Sequence, residues 1–188
     1  MVGAGTLDLL ARRSEQIARS IGVEFDVRHV LVRDPSRPRA VAIDRSILTT
    51  DGLAVVDDPA VDVVVELIGG ESPASDYIER ALRNGKHVVT ANKEVIAKHG
   101  AELLDLANHS NANLFFEASV GGGIPVIGVL RHDLIANEIT SLRAIINGTT
   151  NFILTAMEQG RDYAEALAEA QQLGYAEADP SNDVDGVD

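Results

Sequence analysis

The strongest constraint on the fold is an alternation of short apolar segments with helical ones, separated by glycine. The segment Val61–Ile68 is nearly all apolar and stops at Gly69-Gly70, which is typical of a strand buried in a parallel sheet. His87–Thr90 and Leu114–Phe116 are further short apolar segments, and helical patterns lie between them. This alternation predicts a doubly wound parallel sheet with right-handed crossovers.

Residues 1–130 carry most of the alternation. The predicted elements are helix Leu7–Ser20, strand Phe25–Val32, strand Val61–Ile68, helix Ser75–Arg83 ended by Gly85, strand His87–Thr90, a helix capped by Asn92 and running to about Ala107, strand Leu114–Phe116, and an apolar helix from Ile124-Pro125. The sequence begins in a glycine-containing turn, Met1–Gly5. We therefore expect the strand that opens such a sheet to be missing.

A different pattern follows residue 130. The predicted elements are a strand over Ile139–Ile146, a helix capped by Thr149 or Thr150 and ending at Gly160, a helix that begins at Asp162 with Gly174 just past its end, and an acidic loop over Tyr175–Asp188.

Composition excludes several classes of protein. The chain of 188 residues has 16 Lys and Arg against 29 Asp and Glu, a net charge of −13, and no Cys. An acidic surface repels a phosphate backbone, so we expect no nucleic-acid partner. The lack of Cys excludes disulfides, thiolate metal sites and a Cys nucleophile. No apolar run is long enough to span a membrane, and we expect neither a membrane partner nor a signal peptide.

Residues that suit a phosphate ligand occur near the start of the chain. Gly3 and Gly5 precede a helix, where glycine lets the backbone approach a pyrophosphate, although an ordinary glycine-rich start has the same pattern. Arg33-Asp34 follow a predicted strand. An acid there could hold a ribose hydroxyl and an Arg a 2′-phosphate, or both could lie in an exposed loop.

Lys93 and Glu117 follow later strands. Lys93 lies where a strand ends and a helix begins, so it could polarise a carbonyl, bind phosphate or be a surface lysine. Glu117 leads into the glycine-rich Ala118–Gly123. The carbonyls of such a turn, with a carboxylate, suit a hard cation, and the alternative is a turn that only needs positive φ. The acidic residues from Glu177 onward suit a cationic ligand or a solvated tail.

Several stretches taken together carry a resemblance to a known family. They are, in order, Val64–Gly70 (VVELIGG), Val89–Lys93 (VTANK), Phe116–Pro125 (FEASVGGGIP), Ile146–Leu154 (INGTTNFIL) and Gly174–Pro180 (GYAEADP). Over essentially its whole length the chain resembles homoserine dehydrogenase. The resemblance implies reduction of L-aspartate 4-semialdehyde to L-homoserine with NADP or NAD as cofactor, a step toward threonine, methionine and isoleucine.

The resemblance also implies roles for single residues. Gly3 resembles the last glycine of the cofactor-binding Gly-x-Gly-x-x-Gly motif, Arg33 the Arg that meets the 2′-phosphate, and Lys93 the catalytic Lys beside nicotinamide and substrate. The residues that resemble a monovalent-cation site for Na⁺ or K⁺, mostly through backbone carbonyls, are Glu117, Val120, Gly122 and Ile124.

The substrate residues implied by the resemblance lie in the second part of the chain. Glu177 and Asp188 resemble carboxylates that bind the substrate ammonium group, Asp183 resembles a further acid of the site, and Thr149 lies in a stretch that borders the substrate. Asp188 is also expected at the catalytic centre. A second catalytic Lys is expected one helical turn beyond Asp188.

The implied architecture has two parts. Residues 1–130 are expected to form an NAD(P)-binding, Rossmann-like domain without its first strand, and residues 131–188 the start of an α+β catalytic and dimerisation domain. On this interpretation the sequence is an internal fragment of a cytoplasmic, homodimeric enzyme and is inactive alone. The alternatives are a non-catalytic ligand-binding relic of the same fold and a different Rossmann-fold dehydrogenase. The Asn147–Asn151 stretch and the Glu177 loop argue against the second alternative.

Overall fold

A computed structural model describes residues 2–176 and 179–185. The chain divides into two compact units, Met1–Ile135 and Ala136–Asp188. Among the described residues, no helix combines the length and apolarity that crossing a membrane requires.

The first unit is built on parallel strands. Strands β1 (Val30–Leu31) and β2 (Leu48–Thr49) form one parallel pair. Strands β3 (Val63–Glu66), β4 (His87–Thr90) and β5 (Leu114–Phe115) form a second sheet in that order, also fully parallel. The predicted parallel α/β fold is therefore confirmed.

Helices cover the buried face of the β3–β5 sheet. The helices of this unit are α1 (Val2–Ile21), α2 (Gly52–Val56), α3 (Ala74–Arg83) and α4 (Lys93–His109), with short 3-10 helices at Arg45–Ile47 and Glu117–Ser119 and a π-helix at Val129–Asp133. The core side chains that are almost wholly buried include Val56, Ile78, Leu82, Val88 and Val95. They bury the apolar stripes of α3 and α4 against the sheet.

Local signals fix the ends of α3 and α4. Asn92 caps α4, because its Oδ1 accepts a hydrogen bond from the Val95 amide at 3.1 Å, as predicted. Gly85 has φ 74° just beyond α3, a conformation that favours glycine, and the Lys86 amide then bonds back to the Ala81 carbonyl at 3.0 Å.

Lys86 secures the end of the sheet where β4 begins. Its side chain is only 5% exposed, and its ammonium donates to the carbonyls of Asp58 at 2.5 Å and Val61 at 2.7 Å. A buried ammonium is costly unless it is hydrogen-bonded, so these carbonyls and Lys86 hold the segment before β3 together.

Three expectations for the first unit are wrong. Of the turn expected over Met1–Gly5, residues 2–5 are helical instead, since α1 already begins at Val2. The strand predicted over Phe25–Val32 is reduced to β1, because its partner β2 has only two residues to pair with. The helix expected from Ile124 begins later. Neither β2 nor α2 was predicted.

The second unit is helical in its described part. It contains α5 (Gly148–Glu158), α6 (Tyr163–Gln172) and α7 (Ser181–Val184). Small residues, Ala156, Ala166 and Ala170, let α5 and α6 pack closely around Ile153. The rings of Phe152 and Tyr175 meet edge to face, with centroids 5.3 Å apart.

The predictions for the second unit succeed only where the signal is local. Asp162 caps α6 by accepting from the Glu165 amide at 2.8 Å, and Gly174 has φ 78° after that helix, both as expected. The cap of α5 is Asn147 rather than Thr149 or Thr150. The strand predicted over Ile139–Ile146 is wrong: in the described residues no strand pairs with it, and Ile146 is 88% exposed.

Candidate functional site

The carboxyl ends of β3, β4 and β5 meet at one edge of the sheet. The strands end at Glu66, Thr90 and Phe115, and Glu66 and Thr90 are direct neighbours in the parallel register. Ligands of open α/β sheets bind outside this edge.

Glu66 is a buried carboxylate at this edge that sequence reasoning missed. The residue is 3% exposed. Its Oε1 accepts hydrogen bonds from the amides of Ile68 at 2.7 Å and Gly69 at 3.4 Å, and its Oε2 accepts from the Thr90 hydroxyl at 2.6 Å. The apolar run Val61–Ile68 contains two carboxylates, Asp62 and Glu66, and the position of Glu66 near the carboxyl end of the run is the sequence signal that could have identified it.

Thr90 connects Glu66 to the start of α4 through hydrogen bonds. Its Oγ1 accepts from the Asn92 amide at 3.0 Å, and the Asn92 side chain donates to the Gly70 carbonyl at 2.7 Å. These bonds fix the turn that presents Lys93, the first residue of α4, which is exposed at the same edge. The predicted Lys93 therefore lies where the fold can bring a ligand.

Ser119 connects this turn to the loop that contains Glu117. Its hydroxyl donates to the Thr90 carbonyl at 3.0 Å. The structure thus brings together two regions that the sequence predicted separately, the Lys93 turn and the glycine-rich loop.

The Glu117 carboxylate is held by backbone amides. Oε1 accepts from Val126 at 2.6 Å and Ile127 at 3.0 Å, and Oε2 accepts from Gly128 at 2.6 Å. The hydrogen bonds from Val126 and Gly128 hold the pKa of Glu117 below its ordinary value. These bonds cap the helical segment ending at Asp133, which explains why that helix begins after Ile124.

The loop between Glu117 and Val126 contains no acidic side chain, so its backbone carbonyls are the oxygen ligands it can offer besides Glu117. Gly121 and Gly122 have φ 69° and 61°, and the Ile124 amide bonds to the Gly121 carbonyl at 3.1 Å. No group of three or more His, Cys, Asp or Glu side chains suited to a metal occurs among the described residues. A cation held by Glu117, Val120, Gly122 and Ile124 would depend on carbonyl oxygens and stays a prediction.

The predicted cofactor residues lie in the same unit. Gly3 is in the first turn of α1, where an added Cβ would lie 3.7 Å from the Leu67 side chain, just beyond β3. Arg33 is exposed shortly after β1. Asp34 forms a turn by accepting from the Ser36 amide at 2.8 Å and hydroxyl at 2.6 Å, and these bonds lower its pKa.

An ion-pair cluster attaches the loop after β3 to α4. Glu71 contacts Lys98 at 2.6 Å and His99 at 2.9 Å. The hydrogen bonds from Lys98 and His99 lower the pKa of Glu71. The loop after β3 is thereby held to α4 by these contacts of Glu71 as well as by the hydrogen bond from Asn92 to the Gly70 carbonyl.

A groove of about 700 Å³ lies in the second unit. Its lining residues are Ile146, Asn147, Gly148, Thr149, Asn151, Phe152, Thr155, Gly174, Tyr175 and Asp183. The predicted Thr149 and Asp183 thus line one groove. Thr149 is buried and donates to the Tyr175 carbonyl at 2.6 Å, whereas the Asp183 carboxylate accepts from Asn147 at 2.8 Å. Glu177 and Asp188, the other predicted substrate residues, lie outside the described residues.

Both parts of the chain match known protein families. Residues 1–117 match the homoserine dehydrogenase NAD-binding domain, and residues 125–188 match the homoserine dehydrogenase family. The homoserine dehydrogenase of Pseudomonas aeruginosa is 49% identical over 188 residues, which is 100% of this chain and 43% of the relative.

Solved structures give the same result. A homoserine dehydrogenase from Thiobacillus denitrificans superposes with a TM-score of 0.84 and 47% identity, covering 97% of this chain and 42% of that protein. A hyperthermophilic archaeal homoserine dehydrogenase in complex with NADPH superposes with a TM-score of 0.67 and 39% identity, over 73% of this chain and 43% of its own. The chain thus spans less than half the length of these relatives, and it belongs to the homoserine dehydrogenase family of NAD(P)-dependent oxidoreductases.

Proposed function

We propose that this chain supplies the nicotinamide-binding edge and part of the substrate site of a homoserine dehydrogenase. The reaction is the NAD(P)H-dependent reduction of L-aspartate 4-semialdehyde to L-homoserine, in threonine, methionine and isoleucine biosynthesis. The observation that carries the proposal is the placement of Lys93 at the carboxyl edge of the sheet, through Thr90 and Asn92 and beside the Glu117 loop.

The residues at this edge match the chemistry. When bound, the nicotinamide cofactor supplies the hydride. Negative charge develops on the aldehyde oxygen, and the Lys93 ammonium stabilises that charge and donates the proton. Glu177, Asp183 and Asp188 are the acids proposed to bind the substrate ammonium group, and Thr149 belongs to the same proposed substrate site.

NADP is favoured over NAD. The Asp34 carboxylate is engaged through Oδ1 by the Ser36 amide and hydroxyl, which holds it in its own turn. Arg33 is exposed and suits a 2′-phosphate. Gly3, without a side chain against Leu67, suits a pyrophosphate at the start of α1.

Further features belong to the same proposal. A monovalent cation, Na⁺ or K⁺, binds carbonyls of the loop that runs from Glu117 to Ile124. Residues 1–130 form the cofactor domain and residues 131–188 the start of the catalytic domain. The whole enzyme is a homodimer in the cytoplasm.

The test is a hybrid enzyme in which this chain replaces the stretch it matches in the Pseudomonas aeruginosa homoserine dehydrogenase. The purified hybrid should oxidise NADPH when aspartate semialdehyde is added, and it should prefer NADPH to NADH. A folded hybrid that binds NADPH without reducing the aldehyde would overturn the proposed activity and favour a ligand-binding role for this chain.

A further inference from the structure

We propose that the buried carboxylate of Glu66 is a positioning residue for the Lys93 turn. The inference rests on the proposed function and adds to it a residue that acts through its hydrogen-bond partners. Glu66 is joined to the start of the Lys93 turn through Thr90 and Asn92.

The geometry around Glu66 is that of a hydrogen-bond acceptor. Two backbone amides meet one oxygen and the Thr90 hydroxyl meets the other, so every polar neighbour given above donates to the carboxylate. A carboxylate that is 3% exposed must have its hydrogen bonds satisfied to offset burial. The carboxylate therefore serves to hold these donors in place.

The Glu66 carboxylate also determines which groups donate and which accept in the hydrogen bonds of Thr90. Because the Thr90 hydroxyl must donate to Glu66, its lone pairs are left for the Asn92 amide. Asn92 then accepts from the Val95 amide to start α4 and donates to the Gly70 carbonyl. One carboxylate thus orders the loop after β3 and the helix start after β4.

Both ordered segments lie at the reacting edge of the sheet. A misplacement of about 1 Å in a catalytic group can cost on the order of a hundredfold in rate. The Glu66 network therefore acts on turnover through the position of Lys93. The contribution of the network to the stability of the fold can be measured separately, by the melting temperature.

The first variant is Glu66→Gln in the hybrid enzyme. Gln keeps the size of the side chain and one carbonyl oxygen for the two amides, but its NH₂ group faces the Thr90 hydroxyl as a donor. We expect kcat to fall about tenfold or more, with KM for NADPH within about threefold of the parent.

A second pair of variants covers the case in which Glu66→Gln fails to fold. Thr90→Val removes the hydroxyl and should lower kcat in the same way. Thr90→Ser keeps the hydroxyl and should retain kcat within about twofold of the parent. This rescue by the conservative variant would not be expected of a residue that only fills space.

Lys86→Met is the matched control. Lys86 is as buried as Glu66, at 5% against 3% exposed, and lies at the opposite end of β4. Its loss should lower the melting temperature and leave kcat per folded molecule unchanged.

The outcomes separate the two proposals. An inactive parent hybrid would overturn the proposed function and the positioning role with it. An active parent with Glu66→Gln or Thr90→Val at parental kcat would overturn the positioning role alone. A kcat loss in Lys86→Met equal to that in Glu66→Gln would also overturn it, because loss of fold would then account for both.

Discussion

The side-chain amide of Asn147 donates to the Asp183 carboxylate across 2.8 Å, while its Oδ1 accepts from the Thr150 amide at 2.7 Å. One residue therefore both starts α5 and holds the acid that follows α6. The Thr150 hydroxyl adds a bond to the Asp183 carbonyl at 3.1 Å. The position of Asp183 in the groove thus depends on the cap of a helix distant in sequence.

Replacement of Asn147 should separate these two roles. Asn147→Asp keeps a capping oxygen but places a second carboxylate against Asp183. Because the two carboxylates repel each other and Asp183 is displaced, the homoserine affinity of the hybrid enzyme should fall by about threefold to tenfold. Asn147→Ala loses the cap as well and should cost about 1 kcal/mol in addition. Titration calorimetry and chemical denaturation measure the two effects. Unchanged homoserine affinity in both variants would show that Asp183 does not bind substrate.

Lys93→Ala in the hybrid enzyme should lower turnover by roughly 10²–10⁴-fold, the usual contribution of a general acid. Its melting temperature should change little, because Lys93 is exposed on the first turn of α4. Lys98→Ala is the control on the same helix, since Lys98 pairs with Glu71 and Glu94. Equal turnover in Lys93→Ala and the parent would contradict a catalytic role for this lysine.

Gly52→Ala should destabilise the first unit. An added Cβ would lie 2.3 Å from Cζ of Tyr77, so the tyrosine ring must move. Overpacking of this kind costs about 1–3 kcal/mol. Gly5→Ala is the matched control: its Cβ meets nothing within 4 Å, and alanine should stabilise α1. Denaturant unfolding of both variants checks the prediction, and a Gly52→Ala protein as stable as the parent would contradict it.

Acid should loosen the segment that Glu117 caps. The pKa of Glu117 is lowered from its ordinary value of 4.5, mainly by the amides of Val126 and Gly128. A lowered folded-state pKa means that the stabilising contribution is present above the unfolded value and is lost as pH falls through the folded one. Hydrogen-exchange protection of the amides of residues 126–128, corrected for intrinsic rates, should therefore fall below about pH 4.5. Glu117→Gln should show weaker protection without this acid step, and an identical pH profile in the two proteins would contradict the prediction.

The sequence predicted those elements whose signals are contained in a few neighbouring residues. His87–Thr90 forms a strand as expected, and Asn92 and Asp162 cap the helices assigned to them. Each signal is local: a short apolar run, or a side chain that bonds an amide three residues on. The family was also identifiable from sequence, because several motifs occur in a fixed order.

The elements that the sequence did not predict depend on distant partners. Ile139–Ile146 has the composition of a strand, but a strand forms only where another one pairs with it. Glu66 and Glu117 both carry roles set by residues that the fold brings to them, Thr90 in one case and Val126–Gly128 in the other. Sequence periodicity carries no information about such contacts.

Substitutions at the two ends of β4 should affect different properties of the protein in a mutational scan. Substitutions around Lys86 should reduce the yield of folded protein while leaving the specific activity of the surviving molecules intact. Substitutions around Thr90 should lower the specific activity of the molecules that do fold. A library aimed at a new aldehyde should therefore leave two sets of contacts untouched: Lys86 with the carbonyls of Asp58 and Val61, and the hydrogen bonds that join Glu66, Thr90 and Asn92.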